Sequence, residues 1–75
     1  MERYKNLGGD SNIVAYEISE GAIAVQYGDG SIYSYTAASP GARFVSEMQR
    51  LAIAGQGLNG YINRMVRKRY AEKLR

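Results

Sequence analysis

The sequence predicts an α+β domain in which a three-stranded antiparallel meander is followed by two amphipathic helices, in the order β-β-β-α-α. Three observations predict it. Short runs rich in β-branched and aromatic residues fill positions 12–36 and are divided by glycine turns. A Ser39-Pro40 step follows them. Beyond it, apolar residues recur at helical spacing in two segments separated by Gly55, Gly57 and Gly60.

Residues 1–11 contain Gly8-Gly9-Asp10-Ser11 and read as a flexible lead-in to a single domain over 12–75. The first strand is Asn12-Ile13-Val14-Ala15-Tyr16-Glu17-Ile18, ended by the turn signal Ser19-Glu20-Gly21. The second, Ala22 to Tyr27, alternates large with small or polar side chains, as a half-buried strand does. The third is Ser31 to Thr36. A two-residue Asp29-Gly30 turn would set Val25 opposite Ser34 and mix the faces. A three-residue Gly28-Asp29-Gly30 loop, with Gly30 left-handed, sets Val25 opposite Tyr33 and Ile23 opposite Tyr35. That register gathers Ile23, Val25, Tyr27, Tyr33 and Tyr35 on one face, and a slip of one residue would scatter them. A Glu20-Gly21 turn aligns Val14, Tyr16 and Ile18 with Tyr27, Val25 and Ile23.

Ser39 suits an N-cap and Pro40 the first helical position. Phe44, Val45, Met48, Leu51 and Ala52 then form one apolar stripe, so Phe44 and Val25 are expected to pack against each other's elements. Arg43, Glu47 and Arg50 lie opposite, at pairing distances along the helix. The second helix is expected from Asn59 or Gly60 to Lys73. Its apolar arc holds Tyr61, Ile62, Met65 and Val66, and its opposite arc holds Arg64, Arg67, Lys68 and Arg75. Arg69 and Lys73 fall within the apolar arc, where they must snorkel or meet another molecule.

Composition narrows the function. Seventy-five residues make one domain near the lower size limit for a core without staples. There is no Cys and no His, so disulfides, structural zinc sites built from thiolates and imidazoles, and Ser-His-Asp or Cys-His nucleophile systems are all excluded. The carboxylates are scattered, with no pair placed for acid-base work. Asp29 between two glycines is accounted for by a hairpin turn. The expectation is a non-enzymatic protein without cofactor or metal. Met1 to Asn12 is polar and has no signal-peptide pattern. No stretch approaches the roughly 20 apolar residues of a membrane span, so the expected location is the cytoplasm.

Charge is unevenly placed. Residues 1–37 set Arg3 and Lys5 against five carboxylates, a net −3. Residues 38–75 set eight Lys and Arg against Glu47 and Glu72, a net +6. Such asymmetry suits an anionic partner, and it also suits a merely solubilising helix end.

The ordered set Ser11-Asn12-Ile13, Tyr16, Ile23-x-Val25-x-Tyr27, Gly30, Tyr33-Ser34-Tyr35, Ser39-Pro40, Tyr61-Ile62-Asn63 and Val66-Arg67-x-x-Tyr70 resembles the KTSC domain. That family is named for a segment at the carboxy terminus of some lysyl-tRNA synthetases and also occurs as small free-standing bacterial and phage proteins. Its Tyr-x-Tyr signature corresponds to Tyr33 and Tyr35, and the resemblance spans residues 11–74. Ser39-Pro40 stands where the family usually has Val-Pro, and Gly57-Leu58-Asn59 replaces a Ser-x-Gly. The resemblance implies RNA binding.

The candidate site residues follow. Tyr33 and Tyr35 suit either a stacking platform for bases or the core, and the hairpin register favours the core. With Gly30 and Pro40 they are the family-motif positions read as structural. Asn63, Arg67, Tyr70 and Leu74 would lie on one line of a helix, bordering the basic arc. Asn63, Arg67 and Tyr70 suit phosphate or base contacts equally as well as fastening the helix to the sheet. Arg64, Lys68 and Arg75 have no structural task and suit anion contacts facing solvent. The leading expectation is a module that binds nucleic acid, RNA favoured, through a basic second helix. The alternatives are sequestration of a small anionic nucleotide, between subunits if the chain is a homo-oligomer, and a module that docks on or inhibits another protein.

Overall fold

The computed structural model describes residues 1–9 and 11–75; Asp10, counted in the lead-in, lies outside the described residues. Five strands form one antiparallel sheet in sequential order: β1 (Glu2–Arg3), β2 (Ile13–Ser19), β3 (Ala22–Tyr27), β4 (Ile32–Thr36) and β5 (Glu72–Lys73). Between β4 and β5 run helix α1 (Ala42–Ala54) and the short helix α2 (Leu58–Tyr61), which continues directly as a π-helical turn over Ile62–Val66. The predicted α+β class and central meander are present. The sheet has two further edge strands, one from each terminus.

The β3–β4 hairpin adopts the predicted register, with Ile23 opposite Tyr35 and Val25 opposite Tyr33, and Gly30 has φ 93°. The β2–β3 pairing matches at Tyr16–Val25 and Ile18–Ile23, then shifts. A bulge between Ile13 and Ala15 sets Ile13, not Val14, opposite Tyr27. Ile13 is consequently buried in the core, while Val14 is 45% exposed. The extra residue of a bulge reverses the alternation on its far side, which a turn-based register does not anticipate.

The described residues before β2 are packed on the domain, not the flexible lead-in expected. Glu2 and Arg3 pair with Tyr16 and Ala15, and Tyr4 enters the core at 3% exposure. The Tyr4 hydroxyl accepts the Leu58 backbone N–H at 3.2 Å, giving a partner to an otherwise orphaned donor at the start of α2. Leu7 N–H donates to the Gly55 carbonyl at 2.7 Å, so the segment is tied across the end of α1.

Helix α1 begins two residues later than predicted. Ser39-Pro40 is a cis peptide, Gly41 is the N-cap, and Pro40 is buried beside Thr36. Ser39 does not cap the helix; its hydroxyl donates to the Arg69 carbonyl at 2.8 Å and ties down the chain returning from the π turn. Val45, Met48 and Ala52 face the core, with Phe44 and Leu51 half-buried beside it. Val25 is fully buried, and Phe44 carries the Arg69 guanidinium 5.5 Å from its ring centroid. On the outer side Arg50 forms an ion pair with Glu47.

The second helix departs most from expectation. It ends at Val66 instead of Lys73, and the chain reverses and returns as β5 along β4. Ala71 N–H bonds the Ser34 carbonyl and Leu74 N–H the Ile32 carbonyl, both at 2.7 Å. A continued helix would have driven Arg69 and Lys73 into the core below Ile62 and Val66, at the cost of burying two unpaired charges. Ending the helix keeps both cations exposed. Leu58, expected in a turn, is fully buried, and Met65, expected in the apolar arc, is 47% exposed. No helix, among the described residues, is long and apolar enough to cross a membrane.

Candidate nucleic-acid interface

Helix α1 packs on β3 and β4. The stretch from Leu58 to Val66 is shorter and turns away at Arg67, so the end of the sheet near the β3–β4 loop stays uncovered. The result is an open concavity of about 650 Å³ between that end of the sheet and the π turn. Its floor is built from Tyr27, Tyr33 and Tyr35, its helical wall from Ile62 and Asn63, and its mouth from Arg67, Lys68 and Tyr70. Asn12, Asp29 and Ser31 close the loop side.

The floor residues share a face because alternation along β3 and β4, with Tyr33 opposite Val25, points them toward the helices. Tyr35 is buried at 2% exposure, whereas Tyr27 and Tyr33 are half-buried. Tyr33 lies edge-on to Tyr27, with centroids 5.7 Å apart, and tilted against Tyr70 at 4.6 Å. The aromatic surface therefore extends from the sheet across to the segment after the π turn. Phenols suit this position because the ring packs and the hydroxyl stays within reach of water. The Tyr27 and Tyr35 hydroxyls are 3.3 Å apart. Burial pushes the pKa of each above the ordinary phenol value, so both remain neutral donors.

The rim carries charges of both signs. Arg67 and Lys68 are exposed, and neither has a carboxylate within ion-pair distance among the described residues. The Lys73 ammonium lies 5.7 Å from the Tyr33 centroid, placed there by the Tyr33–Lys73 cross-strand pair. Asp29, in the β3–β4 loop, also lines the concavity and lies within electrostatic reach of Lys73. Its Oδ1 accepts from the Ser31 hydroxyl at 2.7 Å and the Ser31 N–H at 2.9 Å, and these bonds hold its carboxyl below the usual range. A ligand here meets exposed cations, a carboxylate acceptor and tyrosine rings.

Four of the six anion-site candidates, Asn63, Arg67, Lys68 and Tyr70, converge on this concavity. Arg64 and Arg75 do not line it. The helical face expected to group Arg64, Lys68 and Arg75 does not form, because Lys68 lies in the reversal after Val66 and Arg75 follows β5, its backbone bonded to Ile32. The line from Asn63 to Leu74 is likewise not helical, and Leu74 is exposed after β5. Of the motif tyrosines, Tyr35 is core with its hydroxyl at the floor, and Tyr33 faces the concavity. Gly30 and Pro40 serve the loop and the entry to α1.

Sequence reasoning missed Tyr27 and Asp29 as lining residues, and it missed Lys73, which does not line the concavity but lies over the Tyr33 ring. Tyr27 was readable from the hairpin register. Lys73 was not, because its place depends on β5, which only the reversal at Arg67 creates. No family model matches the chain, and no curated protein or solved structure shows significant similarity to it.

Proposed function

We propose that this chain is a small non-catalytic module of the KTSC type that binds single-stranded nucleic acid, RNA favoured, in the tyrosine-walled concavity. The observation that carries the reading is the placing of two cations, Arg67 and Lys68, without carboxylate partners among the described residues, at the mouth of a cleft whose floor and edge are Tyr27, Tyr33 and Tyr70. Bases stack on aromatic rings with little regard to sequence, while Lys and Arg take the adjoining phosphates. The net +6 of residues 38–75 supplies further cations for a strand that runs past the cleft. An unpaired strand is favoured over a duplex because only unstacked bases can enter among the rings.

A second reading is supported by size. A concavity of about 650 Å³ falls in the range of small-molecule sites, so one anionic nucleotide could occupy it. Ligand length separates the two. A strand-binding module gains affinity from a mononucleotide to an RNA of about ten residues, and that affinity falls with salt by counterion release. In the variant Arg67→Gln with Lys68→Gln, the slope of log K against log salt becomes shallower by about 1.4 if both contact phosphates of a single strand. Arg64→Gln with Arg75→Gln lowers affinity less than the mouth pair. Equal affinity for mononucleotide and RNA rejects the strand reading, and binding unchanged in the mouth variant rejects the site.

A further inference from the structure

The backbone at Arg67 points to more than a charged residue at a rim. Its φ of 48° and ψ of −119° lie close to the first central position of a type II′ turn. Glycine is the default there, because a Cβ crowds the backbone. Arg69 N–H donates to the Val66 carbonyl at 2.8 Å and closes the turn, while Arg67 N–H bonds Ile62 O and closes the π turn before it. Two backbone irregularities thus meet at one residue.

The rest of the chain uses glycine for this purpose. Among the described residues eight have positive φ, and six of them are glycines. The seventh is Asn6, a type that tolerates the left-handed region and whose Oδ1 accepts the Ser11 N–H at 3.1 Å. Arg67 is the exception. Its exposed guanidinium has no carboxylate within ion-pair distance among the described residues. The fold needs the reversal at position 67, and glycine would make it with less strain. No hydrogen bond or ion pair of the arginine side chain, among the described residues, accounts for its place there, and Arg67 lines the concavity.

Resting on the nucleic-acid reading above, we propose that Arg67 is the positioning residue of the site, kept in a strained turn because its guanidinium forks a phosphate beside the Tyr33–Tyr70 pair. Such strain persists where surrounding structure over-determines it, and here the π turn on one side and the Ser39–Arg69 bond on the other do so. A guanidinium presents two parallel donors to a phosphate, which an ammonium cannot do. Lys68 next to it supplies charge without that geometry.

The test compares the full chain with Arg67→Gly, Arg67→Lys and Lys68→Gln, using a single-stranded RNA of about ten nucleotides and adenosine 5′-monophosphate as probes. Arg67→Gly is expected to raise the ligand-free thermal midpoint by about 4 °C or more, since it relieves the turn. The same change is expected to weaken RNA binding by about tenfold or more, the scale of a charge-assisted bond pair. Arg67→Lys keeps the parent's midpoint and still loses affinity, whereas Lys68→Gln loses affinity with no gain in midpoint. An Arg67→Gly protein no more stable than the parent overturns the inference, as does one that binds RNA within about twofold of it. A parent that binds the mononucleotide and no RNA rejects the nucleic-acid reading alone, and the Arg67 variants then decide the inference on the mononucleotide. A parent that binds neither rejects both.

Discussion

The hydroxyl oxygens of Tyr27 and Tyr35 lie 3.3 Å apart, joining two strands at the floor of the concavity. One donates to the other, which leaves a single O–H proton free for a ligand acceptor. Tyr35→Phe removes this bond and keeps the ring. It should cost about 0.5–1.5 kcal/mol by urea unfolding, the range for a buried neutral hydrogen bond. A cost near zero would show that the two hydroxyls do not depend on each other.

Both phenols have their pKa raised, chiefly by burial, above the ordinary 10.0 that they regain on unfolding. Above that pH the unfolded chain has released protons that the folded chain still holds, so stability falls as pH rises. Below it both states are protonated and these groups add no pH dependence. The denaturant midpoint should therefore decline from about pH 10 upward. Tyrosinate absorbance should show a late fraction that appears only with unfolding, and Tyr27→Phe should shrink it.

The amino-terminal segment is expected to be part of the cooperative fold. Tyr4→Ala removes a buried ring and should cost about 3–5 kcal/mol, while Tyr4→Phe, which removes only the acceptor for Leu58 N–H, should cost about 1 kcal/mol. Gly55 tests the same junction from the other side. It has φ 82°, and a Cβ there would stand 2.7 Å from the Lys5 Cβ, so Gly55→Ala should destabilise by more than about 1 kcal/mol. A neutral result at both positions would detach the segment from the core.

Met65 separates the observed second helix from the predicted one, with Met48 of α1 as the buried reference. Met48 is fully buried and Met48→Ala should cost about 2–5 kcal/mol. Met65 is 47% exposed, and Met65→Ala should stay within about 0.5 kcal/mol. A large loss at Met65 would restore the longer, inward-facing second helix.

The meander, the Gly30 loop and the stripe of α1 were legible because each follows from a local period. Alternation and turn length determine which face Val25, Tyr33 and Tyr35 share. Spacing of three and four puts Val45, Met48 and Ala52 on one side of a helix. The cations of the carboxy-terminal half were also legible, but their grouping was not. A helical period carried past Val66 placed Lys68 beside Arg64 and Arg75, although the same period sent Arg69 and Lys73 into the core. That conflict was visible in the sequence, and its resolution was not. The Ser39 bond to the Arg69 carbonyl and the pairing of β5 with β4, both reached through the reversal at Arg67, join residues about thirty or more apart. No local pattern encodes such contacts. The same holds for Tyr4, whose hydroxyl meets Leu58 N–H across 54 residues. The sequence by itself determined the central meander, the first helix and the charge available to an anionic partner. Only the tertiary structure decided which cations meet the tyrosines, because that depends on where burying two more charges stopped a helix.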